Sequence, residues 1–249
     1  MINQFKEMSK MTRDEIAQYV KEFPVAVLPI GSTEQHGPHL PLGTDTIIAT
    51  EISKIICNRT GAILLPTLSF GYSWVWRDIP GTVSLEQDHL EIVIKDIAHS
   101  LSRYGIKLLV IVNGHDANNA SMKYATRELM DEIKMNVIYL FYTDDLEKII
   151  KEYCQSETWY GMFHACEFET SLMLALRPDL VDMNKAVKEY PLKPLLYGKS
   201  AISLENLSES GVYGDPTIAS EEKGNNMLKV IVEKMVNYVY EACKDIIGK

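Results

Sequence analysis

The run Lys107-Leu108-Leu109-Val110-Ile111-Val112 is apolar after its first residue and passes straight into Asn113-Gly114-His115. It is too short for a buried helix and too uniformly apolar for a strand with one wet face. It therefore reads as a central strand covered on both sides. Pro24–Ile30 (PVAVLPI) repeats the pattern and opens into the polar loop Gly31–Thr44. Strands of this kind belong to parallel sheets, whose crossover helices cover both faces.

The segments between the strands carry helical spacing. Thr12 and Glu15 form a capping-box signal for a first helix. Ile47, Ile48, Ile52, Ile55 and Ile56 share one helix face after the polar loop. A further helix opens near Ser84 and Gln87, is carried by Leu90, Val93, Ile94, Ile97 and Leu101, and closes at Gly105. Another starts near Asn119. Ala62–Leu65 and Asn136–Phe141 read as two more strands, Glu167–Leu176 as a helix ending before Pro178, and Met227–Ile246 as a long amphipathic helix. Residues 184–218 have weak periodicity and several Gly and Pro, which predicts a lid or an interface arm. With no repeat or linker, residues 1–249 are expected to form one α/β domain: a three-layer fold whose mainly parallel sheet is flanked by helices.

Composition narrows the function. With 34 acidic against 25 basic residues and a net charge of −9, the chain is a poor partner for a phosphate backbone, so nucleic-acid binding is not expected. No apolar run approaches the roughly 18 residues of a spanning helix, and no membrane partner is expected. The opening MINQFKEMSKMTRDE lacks the apolar stretch of a signal peptide, and a cytoplasmic location is expected. Cys57, Cys154, Cys166 and Cys243 form no CxxC pair, so neither a finger-type zinc site nor a disulfide framework is expected.

Chemistry concentrates in three polar segments. The first, Gly31-Ser32-Thr33-Glu34-Gln35-His36-Gly37-Pro38-His39-Leu40-Pro41-Leu42-Gly43-Thr44-Asp45-Thr46, follows a buried strand directly. Glu34 and His36, two apart in an extended loop, project to the same side, where one cation or a close pair can sit between them. Asp45 begins the next helix, either as an N-cap or as a further ligand. The second segment, Asn113–Asn119 (NGHDANN), leaves the carboxyl end of the Lys107–Val112 strand, where doubly wound sheets bind ligands. His115 is its candidate ligand, with Asn113 and Asn118 orienting ligands or holding the turn. The third, Phe163–Ser171 (FHACEFETS), carries Glu167 and Glu169 at a helix start. Two apart on a helix, they cannot both face the site; the other serves the helix dipole.

Carboxylate and imidazole ligands suit Zn, Mn or Fe(II). Two such ions sharing one carboxylate activate water and polarise a carbonyl oxygen, which is what amide hydrolysis requires. His164, outside the ligand set, is the candidate to protonate the leaving nitrogen. Trp74, Trp76 and Trp159 lie near these segments and serve either a flat substrate or the packing. His39 either supports the ligands or seats the Pro-rich loop. Arg77 reads as a surface ion pair, and His89 and His99 as surface residues.

GSTEQHGPHLPLGTDT, NGHDANN, HACEFETS and the later GVYGDP with Glu222-Lys223-Gly224 resemble the creatininase (creatinine amidohydrolase) family, in the same order from about residue 20 to 235. The resemblance implies a single α/β domain assembled as a homohexamer, acting on a small-molecule amide such as creatinine or a lactam with two divalent ions per chain. It implies that Glu34 and His115 hold one ion, that His36 holds the other, and that Asp45 bridges them. It further implies a role for His164 toward substrate or leaving group. Ser73 is expected to contact substrate, with Asp116 and Tyr160 beside it. Creatininases proper resemble one another in a glutamate two residues after the NGH histidine, where this chain has Ala117, and Glu167 is expected to supply the missing carboxylate. That departure weakens creatinine itself as the substrate and brings in a second role, the formamide deformylase of a flavin- or deazaflavin-type pathway. A non-catalytic binding oligomer is the remaining reading.

Overall fold

The structure, a computed structural model, describes residues 5–142 and 146–247. Four parallel strands, β1 (Val25–Ile30), β2 (Ile63–Leu64), β3 (Leu108–Asn113) and β4 (Asn136–Phe141), form one sheet in the order β2-β1-β3-β4. Every residue of β1 and β3 is buried, whereas β4 is a half-exposed edge, as their sequences require. Pro29 is tolerated inside β1 because its carbonyl, and hence its missing N–H, faces the β2 flank, where β2 has already ended at Leu64.

Alternate strand residues point to opposite faces, and each face has its own core. Val25, Val27, Leu108, Val110 and Val112 pack with α2 (Thr44–Thr60), α6 (Glu167–Leu176) and α7 (Glu221–Ile247), flanked by α5 (Leu146–Tyr153). Ala26, Leu28, Ile30, Leu109 and Ile111 pack with α1 (Arg13–Glu22), α3 (Gln87–Arg103) and α4 (Asn119–Glu132). Each fully buried Leu, Ile or Val contributes about 1.5–3 kcal/mol. The result is the expected three-layer α/β domain. Thr12 caps α1 with a complete capping box. Two boundaries differ from expectation: α3 starts at Gln87 with Glu86 as N-cap, and α7 runs a turn and a half further toward the N-terminus than its apolar stripe suggests. None of the described helices is long and apolar enough to cross a membrane.

The chain reverses direction across the sheet between β1 and β3. β1 leads through α2 to β2 on one flank, and β2 leads through α3 back across to β3 on the other. That switch point is where parallel α/β sheets bind ligands, outside the carboxyl ends of the strands. Ile30, Asn113 and Phe141 stand level there. Two glycines bring α2 down between the strand ends. A Cβ on Gly31 would meet the Thr46 backbone at 2.4 Å, and one on Gly114 would meet the Asp45 carbonyl oxygen at 2.2 Å.

Candidate active site

Asp45 lies in the first turn of α2, but it does not cap the helix. Gly43 is the N-cap residue, and no side chain bonds to the free N–H groups there. The Asp45 carboxylate instead faces two imidazoles. Oδ1 is 3.0 Å from His36 Nε2, and Oδ2 is 3.1 Å from His115 Nδ1. Each imidazole donates its other N–H to a backbone carbonyl, His36 Nδ1 to Glu34 at 3.2 Å and His115 Nε2 to Tyr72 at 2.9 Å. A ring fixed in this way presents a lone pair toward Asp45, which is how proteins orient metal-ligating histidines.

Glu34 completes one side of the cluster, with Oε2 at 3.4 Å from His115 Nε2 and Oε1 at 3.7 Å from His164 Nδ1. Asn113 and Asn118 hold the turn beneath it. Asn113 accepts the His115 N–H and donates to the His115 carbonyl, while Asn118 donates to the Gly31 carbonyl and accepts the Tyr72 N–H. Buried Ser73 shares a hydrogen bond with Ser32 and donates its N–H to the Ser84 hydroxyl oxygen.

Glu169, not Glu167, joins the site. Its carboxylate accepts the Ala165 N–H at 2.6 Å, and it shares a potential ion site with His36 and Asp45. Glu167 turns the other way. It accepts N–H groups of Gln155 and Ser156 at 2.9 and 2.7 Å and pairs with Lys223 of α7, so it staples α6 to its neighbours. The expectation of Glu167 as the last ligand is thus corrected by helix phase: with both at the α6 start, the 200° between them lets only one face the cluster.

Electrostatics agree with this grouping. Burial alone would strip the proton from His36, but Asp45, Glu169 and Glu34 outweigh it and lift its pKa to about 10. His115 is lifted likewise to about 9, against its burial, by Glu34 and Asp45. Burial works against an ionised Asp45, yet the two imidazoles hold its carboxyl well below the usual carboxylate range. Burial raises Glu34 and takes Glu169 to about 7. Both Glu34 carboxylate oxygens, His36 Nε2 and Asp45 Oδ2 are buried without hydrogen-bond partners. Buried unpaired carboxylates cost several kcal/mol each, and divalent cations are what this donor set fits. Ligand atoms of Glu34, Asp45 and His115 gather within 4.8 Å, as do those of His36, Asp45 and Glu169, and those of Glu34, His36 and His164.

His164 stands beside this cluster. Its ring stacks on Trp76, with centroids 4.5 Å apart. Nε2 lies 2.9 Å from the Gln35 carbonyl oxygen and 2.8 Å from the Gln35 amide nitrogen, so it has a partner in either tautomer while Nδ1 faces Glu34. Burial, reinforced by His36, drives its pKa well below the ordinary imidazole value. Ala165 adopts a left-handed conformation (φ +50°), which turns the chain sharply between His164 and α6.

Glu34, Asp45, His115, His164 and Glu169 line a cavity of about 200 Å³, roofed by Trp76, Met162, Tyr197 and Leu204. Residues 184–218 thus contribute Tyr197 and Leu204 to the cover of the site. Tyr213 pairs with His164 through the backbone, and Glu189 with Gly214. Trp159 packs against Tyr213 and Tyr197 and donates to the Pro191 carbonyl, while Trp74 lies under the Arg77 guanidinium. His39 seats the Pro-rich loop on α6 through Thr170, and His99 makes a surface pair with Glu132. Asp116 reaches the cavity wall, but two expected substrate contacts do not. Ser73 is fully buried among Ser32, Ser84 and Glu34, behind the wall. Tyr160 is 64% exposed beneath Lys193, because the left-handed pair Tyr160-Gly161 turns its ring outward. Tyr197 is a cavity residue that no sequence motif singles out, whereas Trp76 and Glu169 are alternatives that the sequence left open.

A parallel α/β domain with a carboxylate–imidazole cluster at its switch point defines the class: a fold that holds metal ions where strands end. Residues 9–239 match the family model described as creatininase, creatinine amidohydrolase. The creatinine amidohydrolase of Pseudomonas putida is 32% identical over 231 residues, 87% of this chain and 89% of that protein. The mycofactocin precursor peptide peptidase of Mycobacterium ulcerans is 30% identical over 234 residues, covering 90% and 87%. A 2-amino-5-formylamino-6-ribosylaminopyrimidin-4(3H)-one 5'-monophosphate deformylase of Methanocaldococcus infernus is 34% identical over 123 residues, covering 48% and 53%. The crystal structure of creatinine amidohydrolase superposes with a TM-score of 0.85 at 30% identity, covering 96% of this chain and 98% of that one. A manganese form of creatininase superposes with 0.82 at 30%, covering 95% and 98%. The chain belongs to the creatininase family, metal-dependent amidohydrolases that cleave C–N bonds.

Proposed function

We propose that this chain hydrolyses a non-peptide amide with two divalent ions, of Zn, Mn or Fe(II) type, which Asp45 would hold jointly. The observation that carries the reading is the two-sided Asp45 carboxylate, with His36 at 3.0 Å from one oxygen and His115 at 3.1 Å from the other. In this reading Glu34 and His115 would hold one ion, and His36 and Glu169 would hold the second. Ala117 offers no carboxylate, and Glu169 supplies one from α6. When bound, the pair supplies an activated water and polarises the amide carbonyl.

The remaining residues handle protons and exclude solvent. Water's oxygen bonds to the carbonyl carbon, the C–N bond breaks, and the nitrogen takes one proton to leave as an amine beside a carboxylic acid. His164 carries that proton. Its Nδ1 edge faces the cavity, and Gln35 satisfies Nε2 whichever nitrogen is protonated. Stacking on Trp76 fixes the ring plane, and the roof keeps bulk water from the departing nitrogen. Asp116 stands at the rim as the substrate-side polar group.

Assembly as a homohexamer belongs to the same reading. Leu192 and Leu195, each 92% exposed, and the open β4 edge offer apolar surface for subunit contacts. Metal analysis of the purified chain tests the core of the proposal. Two equivalents per chain, with hydrolysis of a lactam or formamide that returns on adding Mn or Zn after chelation, is the expected result. Less than one equivalent, with no response to added metal, would refute it.

A further inference from the structure

The metal-bearing cavity is small. At about 200 Å³ it falls below the roughly 300–1,000 Å³ of ordinary small-molecule sites. It shares three wall residues, Asp116, Phe141 and Phe163, with a second cleft of about 840 Å³. The Phe141 and Phe163 rings are near-parallel, 16° apart with centroids at 6.3 Å, and make an apolar strip between the two spaces. An amide held at the cluster therefore has one roomy direction in which to extend, past those rings and beside Asp116.

The charge along that direction is one-sided. Among the described residues no Lys or Arg lines the inner cavity, whose wall carries Glu34, Asp45, Glu169 and Asp116. Among the described residues the outer cleft adds Glu157 and the Glu147–Lys151 ion pair, closed at 2.6 Å, so its net negative charge comes from Glu157 and the shared Asp116. Lys193 rests over the Tyr160 and Tyr197 rings and lines neither space. Two divalent ions at the cluster would neutralise the inner carboxylates and leave the acidic cleft as it is. Both Glu34 oxygens, buried and unpartnered, fix the inner cavity as the reacting end.

We propose that the substrate is an extended amide whose scissile bond sits in the inner cavity and whose remainder, bearing an ammonium or similar cation, lies in the outer cleft. This rests on the hydrolase reading above and names its substrate class. It sets the chain apart from a deformylase of a monophosphate, since a phosphate in this cleft would meet Asp116 and Glu157 and, among the described residues that line it, no Lys or Arg outside the Glu147 pair. Clefts lined by one sign of charge concentrate ligands of the other sign and repel their own.

The test compares N-hexylformamides of equal length ending in ammonium, hydroxyl or phosphate, beside N-methylformamide, with the Mn- or Zn-loaded full chain. The expected kcat/KM falls from ammonium to hydroxyl to phosphate, with ammonium over phosphate by roughly tenfold or more. N-methylformamide is expected to be slower than the hydroxyl-tailed compound. The double variant Asp116→Asn, Glu157→Gln is expected to bring the ammonium-to-phosphate ratio toward one. A phosphate preference, equal rates on all tails, or a ratio unmoved by the double variant would overturn the inference. Calorimetric binding of the same amides to metal-free chain reads the tail without turnover. Ammonium preference there with no hydrolysis by loaded chain removes the hydrolase reading alone, whereas phosphate preference removes this one.

Discussion

His36 Nε2 approaches Asp45 Oδ1 to 3.0 Å while His36 Nδ1 donates to the Glu34 carbonyl oxygen at 3.2 Å. The tautomer is thereby fixed, and Nε2 turns an electron pair toward a carboxylate unless something positive stands between them. A proton does so at the expense of leaving Glu34 and Glu169 crowded with negative charge, and a divalent cation does so for all of them at once. Chelation is therefore expected to destabilise the fold as well as stop turnover. An ion present at about 1,000 times its Kd contributes about 4 kcal/mol. For a chain of this size that corresponds to a melting temperature lower by roughly 8–16 °C. Calorimetry with and without chelator reads it, and an unchanged melting temperature in a metal-loaded sample would contradict it.

Asp45→Ala is expected to remove both ions, since it takes away the group facing both imidazoles. Loss of a supporting residue costs roughly 10–100-fold in metal affinity, and loss of the shared ligand should exceed that. Metal content after dialysis is the measurement. Retention of one full equivalent would show that the carboxylate serves a single ion.

The two α6 glutamates should separate cleanly. Glu169→Gln is expected to lower metal content with little effect on the melting of metal-free chain. Glu167→Gln is expected to leave metal content intact and to destabilise by about 3 kcal/mol, the low end for breaking a buried pair, since Lys223 reaches water. Metal loss in Glu167→Gln with retention in Glu169→Gln would reverse the assignment.

His164→Ala is expected to keep both ions and to slow hydrolysis by about 10²–10⁴-fold, the range for general acid–base groups. An amide with a better leaving amine should be slowed less, because its nitrogen needs the proton less. A uniform loss across leaving groups, or a fall in metal content, would place the ring among the ligands instead.

How far the sequence foretold this site follows from which contacts are local. β1 and β3 were legible because a strand buried on both faces must be apolar throughout, and the loops at their ends carry Glu34, His36 and His115 within a few residues of a fixed strand terminus. Glu167 and Glu169 were not separable by the same means. Which one faces the cluster depends on the phase of α6 against α2 and on Lys223, 56 residues on, reaching back to claim Glu167. Ser73 and Tyr160 fail for a related reason. Ser73 is fixed by Ser32 and Ser84, and Tyr160 by a left-handed turn that its residue type does not announce. Tyr197 reaches the cavity from an irregular segment without periodicity, so no pattern marks it in advance, and Trp76 is one of three tryptophans whose role the sequence left open.

Glu189 ties the roof to the site, and its titration gives the last prediction. Its carboxylate accepts from Ser208 Oγ at 2.7 Å, from the Glu209 and Ser210 N–H groups at 2.8 and 2.9 Å, and from the Ser210 hydroxyl. The loop so held presents the Gly211 carbonyl to Gln35, the partner of His164. Burial pushes the Glu189 carboxyl up, but the hydrogen bonds from Ser210, Ser208 and Glu209 together bring it below its ordinary value. A folded pKa lower than the unfolded value of about 4.3 gives stability that is present above that pH. The contribution is lost as pH falls through the folded value. Wild type is therefore expected to be more stable than Glu189→Gln at pH 7, and the two are expected to converge as the pH falls through the folded value. Urea unfolding read by tryptophan fluorescence suits the measurement, because Trp76 and Trp159 both pack on Tyr213 beside this loop. A gap between the two proteins that stays constant with pH would mean that Glu189 acts through shape and not through charge.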